Sequence, residues 1–557
     1  VPFTARTNTS GATREKAEPA DCHPTGGTVW YRYRAKRTLG IVANTIGTTR
    51  AITLGVFEGT SLADLRTVAC DTDAGGAAYV SFPAETRSTY YFQLTNPIGG
   101  GPLVFNLDPL GNTNQISFAS EAEPRPHSDL PSISGNGRFV AFESASQIPG
   151  DKLGPTDIFV HDLVTKRTSN ASVSSAGAEG DDVSVAPSMS ADGRYVGFTS
   201  CASNLVPGDD NDLPDVFVHD GLSGATERVS VRSDGQEAQS VPTDARAADP
   251  ALCAVSSPPS ISQDGRFVAF TSDLTDLIEG DNNDSTDVFL HDRAAERTTR
   301  VSVSSRGLGG DCDSLFPSIS ADGRFVAFAS CASNLVEGDA NENLGTPSGS
   351  AWDVFVRDRA TGTTTLVSVS SSGAQGDLDS WTASISPDGR YVGFPSDATN
   401  LVSDDTNSFR DAFVHDRMTG KTIRVSVSST GEQQLQPEGP EAVGNIGFIQ
   451  QEIALVAISS GGRYVAFESR GLGLVPEDDN AASDIFLHDR QIGTTVRVSV
   501  SSSGGQGNAG SRIPTISSNG HVLAFQSLAT NLASGDAAQE SWDVFVHVLP
   551  QPRSESR

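Results

Sequence analysis

Apolar and polar positions in this chain return in a fixed order. The clearest copy runs Ser386-Pro387-Asp388-Gly389-Arg390-Tyr391-Val392-Gly393-Phe394, then Asp411-Ala412-Phe413-Val414-His415-Asp416-Arg417, then Arg424-Val425-Ser426-Val427-Ser428-Ser429. The last run alternates with period 2, as a half-buried strand does, and the middle runs cluster their apolar residues, as strands covered on both faces do. Copies open at Pro131, Pro187, Pro259, Pro317, Ala383, Ala457 and Pro514. A spacing of roughly sixty residues means stacked supersecondary units. Each copy holds four β-rich runs: a Pro-Ser-Ile-Ser opening, Arg-Phe-Val-Ala-Phe, Asp-Val-Phe-Val-His and Arg-Val-Ser-Val-Ser. Asp388-Gly389 suits a tight hairpin, and Gly420 supplies positive φ in the next turn. The expectation is an all-β fold: a seven-bladed β-propeller of four-stranded blades.

The ends of the array complement each other. The seventh copy stops after Asp543-Val544-Phe545-Val546-His547 and lacks its fourth run, whereas an orphan of that type, Gln115-Ile116-Ser117-Phe118-Ala119-Ser120, precedes the first copy. Strand 115–120 is therefore expected to complete the last blade and close the ring, which leaves few exposed edges.

With these motifs in view, the repeat resembles the TolB-type, WD40-like propeller repeat of bacterial secreted and periplasmic proteins, over about residues 113–550. The resemblance implies a fold and a general role in protein or ligand binding, and carries no catalytic residues. Residues 1–110 lack the repeat. Their runs Trp30-Tyr31-Arg32-Tyr33, Ile52-Thr53-Leu54-Gly55-Val56-Phe57, Val80-Ser81-Phe82 and Tyr90-Tyr91-Phe92-Gln93-Leu94 predict a β-sandwich. With Cys70-Asp71-Thr72-Asp73-Ala74-Gly75-Gly76 this unit resembles the bacterial prepeptidase C-terminal type of sandwich, an accessory domain of secreted enzymes and surface proteins. Carbohydrate or surface attachment is what that resemblance implies; a plain spacer is the alternative. Residues 551–557 form a tail.

Composition places the chain outside the cytoplasm. It begins at Val1 and has no long apolar run, so a mature, exported protein that does not insert in a membrane is expected. Six cysteines can pair as Cys22 with Cys70, Cys201 with Cys253 and Cys312 with Cys331, which suits an oxidising compartment; buried free thiols are the alternative. The 39 basic and 69 acidic residues leave a net charge of −30, which repels nucleic acid and anionic lipid and favours cationic partners. The arginines that follow glycine, Arg138, Arg194, Arg266, Arg324, Arg390 and Arg463, read as structural ion-pair partners rather than a binding patch.

The most chemical pattern lies between the second and third runs. Asp-x-Asn-x-x-x-Asp occurs as Asp209, Asn211, Asp215; as Asp281, Asn283, Asp287; as Asp405, Asn407, Asp411; and as Asp478, Asn480, Asp484. Hard oxygen ligands at repeated offsets suit calcium, and several calcium sites are expected. The alternative is that these residues form Asx-turns and cap their own backbone. In the other copies Leu153 or Ala538 replaces the asparagine, or an insertion separates Asp339 and Asn341 from Asp353. In a four-stranded meander these loops leave on the same side as the blade-to-blade connections, so Asp181, Asp182, Asp311, Asp313, Asp377 and Asp379 should join them on one acidic face, with the insertions 232–257 and 430–454.

His161, His219, His291, His415 and His488 share one strand-end position, too far apart around a ring to meet on one metal. No Gly-x-Ser-x-Gly, His-Glu-x-x-His or phosphate-loop motif is present. Trp352, Trp381 and Trp542 break the repeat, as sugar platforms or as packing residues. Two functions stay open. The first is a non-enzymatic, calcium-stabilised extracellular scaffold that binds a protein, a glycan or copies of itself, the last as a filament or layer through the sandwich or the tail. The second is an extracellular polysaccharide- or peptide-acting enzyme, or a glycan-binding protein, using the channel or the acidic face. Repetition favours the first, because no His, Tyr or paired-carboxylate set that breaks the repeat is evident.

Overall fold

The computed structural model describes residues 3–8, 27–36, 39–45, 48, 52–61, 64–73, 78–96, 102–109, 111–117, 127–145, 155–211, 213–239, 257–339, 352–435, 455–476, 478, 480, 482–533 and 541–549. Apart from a single 3₁₀ turn at Ser460–Gly462, their regular structure is all strand, arranged as four-stranded antiparallel sheets. No helix among them is long and apolar enough to cross a membrane, a statement about helices alone.

Two sheets come from residues 3–109. One orders Phe3–Asn8, Pro102–Pro109, Leu39–Asn44 and Tyr79–Ala84; the other orders Gly27–Arg34, Thr89–Asn96, Ile52–Glu58 and Arg66–Asp73. Leu54, Val56, Phe92 and Leu94 of the second share one core with Ile41, Phe82, Phe105 and Leu107 of the first.

The repeats build sheets whose four strands pair in chain order. The first comprises Ser128–Ile133, Phe139–Ser144, Asp157–Asp162 and Arg167–Asn170. Five more follow at residues 184–228, 260–300, 314–366, 384–424 and 456–497. The second and third strands of each are buried on both sides, which is why their apolar residues run together instead of alternating. Phe198 lies directly opposite Phe217 in the register, and their rings stack at 5.9 Å. The same pair recurs as Phe270 with Phe289, Phe328 with Phe355 and Phe394 with Phe413. Successive sheets also meet at their turns. Gly389 has φ 70°, and a Cβ there would stand 2.3 Å from the ring of Phe325 in the preceding sheet, so only glycine suits both the turn and the packing.

First strands of neighbouring sheets touch one another all the way round, the last, Ser511–Ile516, meeting the first, Ser128–Ile133. The sheet at residues 511–548 takes its fourth strand from the other end of the repeat region: Asn112–Gln115 pairs with Asp543–Val548, Gln115 opposite Phe545 and Asn112 opposite Val548. The strand thus starts three residues before the expected run 115–120. Ile116 donates to the Val544 carbonyl at 2.9 Å and the Ser117 hydroxyl to Asp543 at 2.5 Å, as Ser426 does to Asp411. Residues 118–120 lie outside the described set, as do the tail 551–557 and most of both long insertions.

Sheets are also joined through side chains. On the third strands His219, His291, His415 and His488 pair through Nδ1 with the hydroxyls of Thr226, Thr298, Thr422 and Thr495. Each of these threonines donates to a valine carbonyl just beyond the fourth strand of the preceding sheet: Val173, Val231, Val369 or Val427. Arg357 takes the histidine's place against Thr364 at 3.0 Å. On the closing strand Thr113 contacts His547 and donates to Val500 in the same way. Burial holds these imidazoles below their ordinary pKa, His488 at about 4. They are neutral joints between sheets.

Cys312 is bonded to Cys331, and Cys70 and Cys201 are each in a disulfide. Cys22 and Cys253, the expected partners of the latter two, lie outside the described residues.

Candidate functional site

The meander gives each repeat sheet two ends. At the turn end, the arginines after glycine hold the aspartates that close the third strands. Arg194 reaches Asp220 at 2.6 Å, Arg390 reaches Asp416 at 2.7 Å, and Arg138, Arg266, Arg324 and Arg463 do the same with Asp162, Asp292, Asp358 and Asp489. These bonds hold the carboxyls of Asp162, Asp220, Asp358 and Asp416 well below the usual range. Each guanidinium also lies over the next residue's ring, Arg390 at 4.7 Å from Tyr391, and a second one from the following sheet, Arg490, covers that ring at 4.6 Å.

At the loop end, the second-to-third-strand loops meet the connections between sheets. Asp181 accepts from Ser203, Asp311 from Ser333 and Asp377 from Thr399. The Asp-Asn loops lie here, and each brings its two aspartates together around an arginine from the start of the fourth run. Arg228 contacts Asp209 at 3.2 Å, Asp215 at 2.9 Å and also Glu237. Arg300 contacts Asp281 at 2.8 Å and Asp287 at 3.0 Å. Arg424 stands 3.3 Å from Asp405 and 3.5 Å from Asp411, and Arg497 stands 3.2 Å from Asp478 and 3.7 Å from Asp484.

This donor set fits a guanidinium better than calcium. The positive charge among the carboxylates is already supplied by the chain. The asparagines turn their oxygens away: Asn211, Asn283, Asn407 and Asn480 accept the backbone N–H two residues on, an Asx-turn, and donate through Nδ2 to Ala238, Gly310, Gln434 and Gly507 carbonyls. For Asn283, Asn407 and Asn480 the same nitrogen also donates to Asp287, Asp411 and Asp484, so the group facing each carboxylate is an N–H. Calcium takes oxygen donors. Of the twelve expected ligands, the eight aspartates thus gather in pairs around an arginine and the four asparagines form Asx-turns, and at one loop Asp209, Asp215 and Glu237 bring carboxylate oxygens within 4.8 Å of one another. Burial, opposed by the arginine, pushes Asp281, Asp405 and Asp484 up to about 6, and Asp209, beside Asp215 and Glu237, to about 7.

Sequence reasoning missed these arginines, although a signal was present. Arg228, Arg300, Arg424 and Arg497 open the fourth run in the four copies that carry Asp-x-Asn-x-x-x-Asp, while Asn170, Leu366 and Gln115 stand there in the other three.

The same end, closer to the ring of first strands, collects side chains that break the repeat. Trp352 is buried and stacks on Trp381 at 5.5 Å; Arg410 lies 5.9 Å over Trp381 and grips Asp397 with two bonds of 2.9 Å. Arg512 lies 5.4 Å over Trp542 and 3.8 Å from Glu468. Asp129 stands directly opposite Glu143 on the first two strands of the first sheet. That is a repeat-breaking pair of carboxylates, which the sequence did not disclose because Asp129 belongs to the lead-in of the motif and Glu143 to its variable end.

Three sheets carry a carboxylate or amide at the Glu143 position, where Thr199, Thr271, Ala329 and Pro395 stand in the other four. Glu143, Gln526 and Glu468 each accept the N–H of a bulged residue on the next first strand: Ala186 at 2.8 Å, Leu130 at 3.0 Å and Ile513 at 3.5 Å. These bulges hold positive φ, 57°, 47° and 54°. Glu468 has Arg512 beside that bulge, whereas Glu143 has the buried Val185 at the corresponding place. Among the described residues neither Asp129 nor Glu143 is ion-paired, and Asp129 Oδ1 is buried without a hydrogen-bond partner. Burial pushes Glu143 up to about 7 and Asp129 to about 6; His127 draws Asp129 back down, and a neighbouring carboxylate raises each further.

No family model and no curated protein matches this chain. Solved structures do. The β-propeller domain of the Trilobed protease from Pyrococcus furiosus is 10% identical, with a TM-score of 0.41, over 77% of this chain and 94% of that one. A protein designated TolB from Agrobacterium tumefaciens is 12% identical, TM-score 0.33, over 57% and 83%. The periplasmic gluconolactonase of Pseudomonas aeruginosa is 17% identical, TM-score 0.33, over 80% and 94%. The likeness is one of β-propeller architecture. The expectation that the chain is not an enzyme is withdrawn: the similar structures include a gluconolactonase and the propeller domain of a protease, and at 17% and 10% identity the likeness is one of fold alone. The premise of that expectation fails as well, because Asp129 and Glu143 are a carboxylate pair that breaks the repeat.

Proposed function

We propose that this chain is an exported, seven-bladed β-propeller with an N-terminal β-sandwich, and that the loop end of the propeller captures a cationic partner at the cell surface, a protein or an amine-bearing glycan. Seven successive repeat sheets and the closed ring of first strands support the blade count, and the common core of the two N-terminal sheets supports the sandwich. The disulfides support export.

The observation that carries the binding assignment is the Asp129–Glu143 pair. At the four Asp-Asn loops, paired carboxylates come with their own guanidinium, and Glu468 comes with Arg512. Asp129 and Glu143 come with none. Two half-buried carboxyls with no guanidinium beside them, Asp129 having only His127 near it, are poorly stabilised when ionised, so a cation brought by a partner gains more here than at a pair that already holds an arginine. Trp542, next to this pair through the bond from the Ser128 N–H to its carbonyl and with Arg512 already over its ring at 5.4 Å, adds an aromatic surface of the kind sugars pack against.

Calorimetric titration of the whole chain with glucosamine oligomers, N-acetylglucosamine oligomers and oligolysine tests this. Binding of the amine-bearing probes, weakened by salt and lost in Asp129→Asn/Glu143→Gln, is the expected result. Equal binding of the acetylated and free-amine oligomers, or no binding of any probe, overturns it.

A further inference from the structure

At the opposite, turn end the chain presents a different surface. Exposed large apolar side chains are few among the described residues, and five of them stand here: Val164, Leu222, Met418, Ile492 and Val548, at 71%, 78%, 77%, 40% and 38% exposure. The first four are at the tips of the third-to-fourth-strand turns of the first, second, fifth and sixth repeat sheets, and Val548 ends the third strand of the seventh. Contacts between first strands run from the fifth sheet through the sixth and seventh to the first and second, so the five tips stand on five consecutive sheets, a crescent along the turn end.

Charge distinguishes this crescent from the rest of a chain of net charge −30. The aspartates that end its third strands, Asp162, Asp220, Asp416 and Asp489, are each engaged by a guanidinium, while Asp192 and Asp388 in the first turns are exposed and accept from serine hydroxyls and backbone N–H groups. Exposed Lys166, Arg167 and Lys421 stand beside the apolar tips. The loop end is the complement: Asp181, Asp182 and Asp311 are exposed there, with Asp404 and Glu337 at 73% and 94% although Arg424 and Arg306 stand 3.4 Å and 3.8 Å from them, and so is the apolar Leu435.

From this complementarity we infer that the crescent docks on the acidic loop end of a second copy of this chain. The inference rests on the assignment of the loop end to cationic partners and names one. Basic tips lower the repulsion between two polyanions where they face the acidic loop end, and each apolar tip removed from water adds to the contact. Because the two surfaces differ, the contact is heterologous and leaves a free crescent and a free loop end on every assembly, so it propagates from copy to copy.

Light scattering on the whole chain over a range of concentrations, in low and in high salt, tests the contact. Expected is a mass that climbs with concentration in low salt and falls back in high salt, with Leu222→Ser/Met418→Ser and, separately, Lys166→Glu/Lys421→Glu remaining monomeric at an unchanged melting temperature. A monomer at every concentration overturns the inference, as does growth to which both variants are indifferent. Growth that stops at a dimer also overturns it, because a closed two-fold contact uses the same surface twice. A monomer that still binds oligolysine at Asp129 and Glu143 fails this inference alone and leaves the loop-end assignment standing.

Discussion

Among single residues, Glu143 has the most to say about pH. Its carboxyl is raised to about 7 by burial, above its ordinary value near 4.5. A group raised in the folded state binds its proton more tightly there than in the unfolded chain. Its stabilising contribution is complete below the ordinary value and fades as pH climbs through about 7. Gln526 shows that an amide does the same structural work at this position, accepting the N–H of Leu130 as Glu143 accepts that of Ala186. Glu143→Gln is therefore expected to raise the melting temperature at pH 8, by an amount corresponding to about 1–3 kcal/mol, and to change little at pH 5; melting curves of both proteins across that range decide it. The buried histidines act in the opposite sense, since their lowered values remove stability as pH falls below the ordinary imidazole range, but they are common to both proteins and cancel in the difference. Arg300 supplies a second prediction. Arg300→Met leaves Asp281 and Asp287 buried without their cation, and breaking such a pair costs about 3–5 kcal/mol. If the guanidinium, and not calcium, is the cation of these loops, the unmodified chain melts at the same temperature with calcium and with chelator while Arg300→Met melts lower; a rise with calcium in the unmodified chain would restore the metal sites.

At the scale of strands and sheets, the closing strand is the vulnerable element. Asn112–Gln115 is held to the last sheet by its ladder and to the preceding sheet by Thr113, whose hydroxyl meets His547 and the Val500 carbonyl. Thr113→Val keeps the shape and leaves a buried carbonyl and a ring nitrogen short of a partner, an expected loss of about 1–3 kcal/mol. Thr226→Val, in an otherwise identical joint, should cost a similar amount in global unfolding. Only Thr113→Val should speed hydrogen exchange in the Asp543–Val548 strand, since no turn joins its closing strand to the sheet; equal exchange in the two variants would show that closure is not the weak point. How much of this was legible beforehand follows from what a repeat conveys. Seven opening motifs and an orphan fourth run specified the meander and the partner of the last sheet, because strands bury alternate or continuous apolar runs whatever their neighbours do. The strand boundary slipped by three residues because Asn112, Thr113 and Asn114 are polar and their pairing is dictated by His547 and Val548, far along the chain. The Asp-Asn loops were legible as clusters but their counter-ion was not, since Arg228 and Asp209 meet only after the fourth strand has folded back across the third. Asp129 and Glu143 were invisible for the converse reason: a pattern shared by seven copies draws attention to what recurs, and this pair occurs in one.

Over the whole molecule, two kinds of electrostatics should separate under salt. A net charge of −30 drives the folded chain to expand, and dissolved ions weaken that repulsion over distances beyond about 10 Å. The arginines among the Asp-Asn loops are in short contact with aspartates almost wholly removed from water, and a pair that dissolved ions cannot enter is screened little. Screening thus relieves the unfavourable long-range term while leaving the favourable short-range one in place. The melting temperature should rise as sodium chloride is added at neutral pH, with most of the gain complete once the screening length is shorter than the separation of neighbouring sheets. Arg300→Met should show the same rise from a lower starting point, because the pair it breaks lies inside the dry part of the loop. A melting temperature that falls with salt would mean that exposed pairs at the turn end, such as Arg138 with Asp162, hold the sheets together more than the buried ones do, and would move the centre of stability from the loop end to the opposite face.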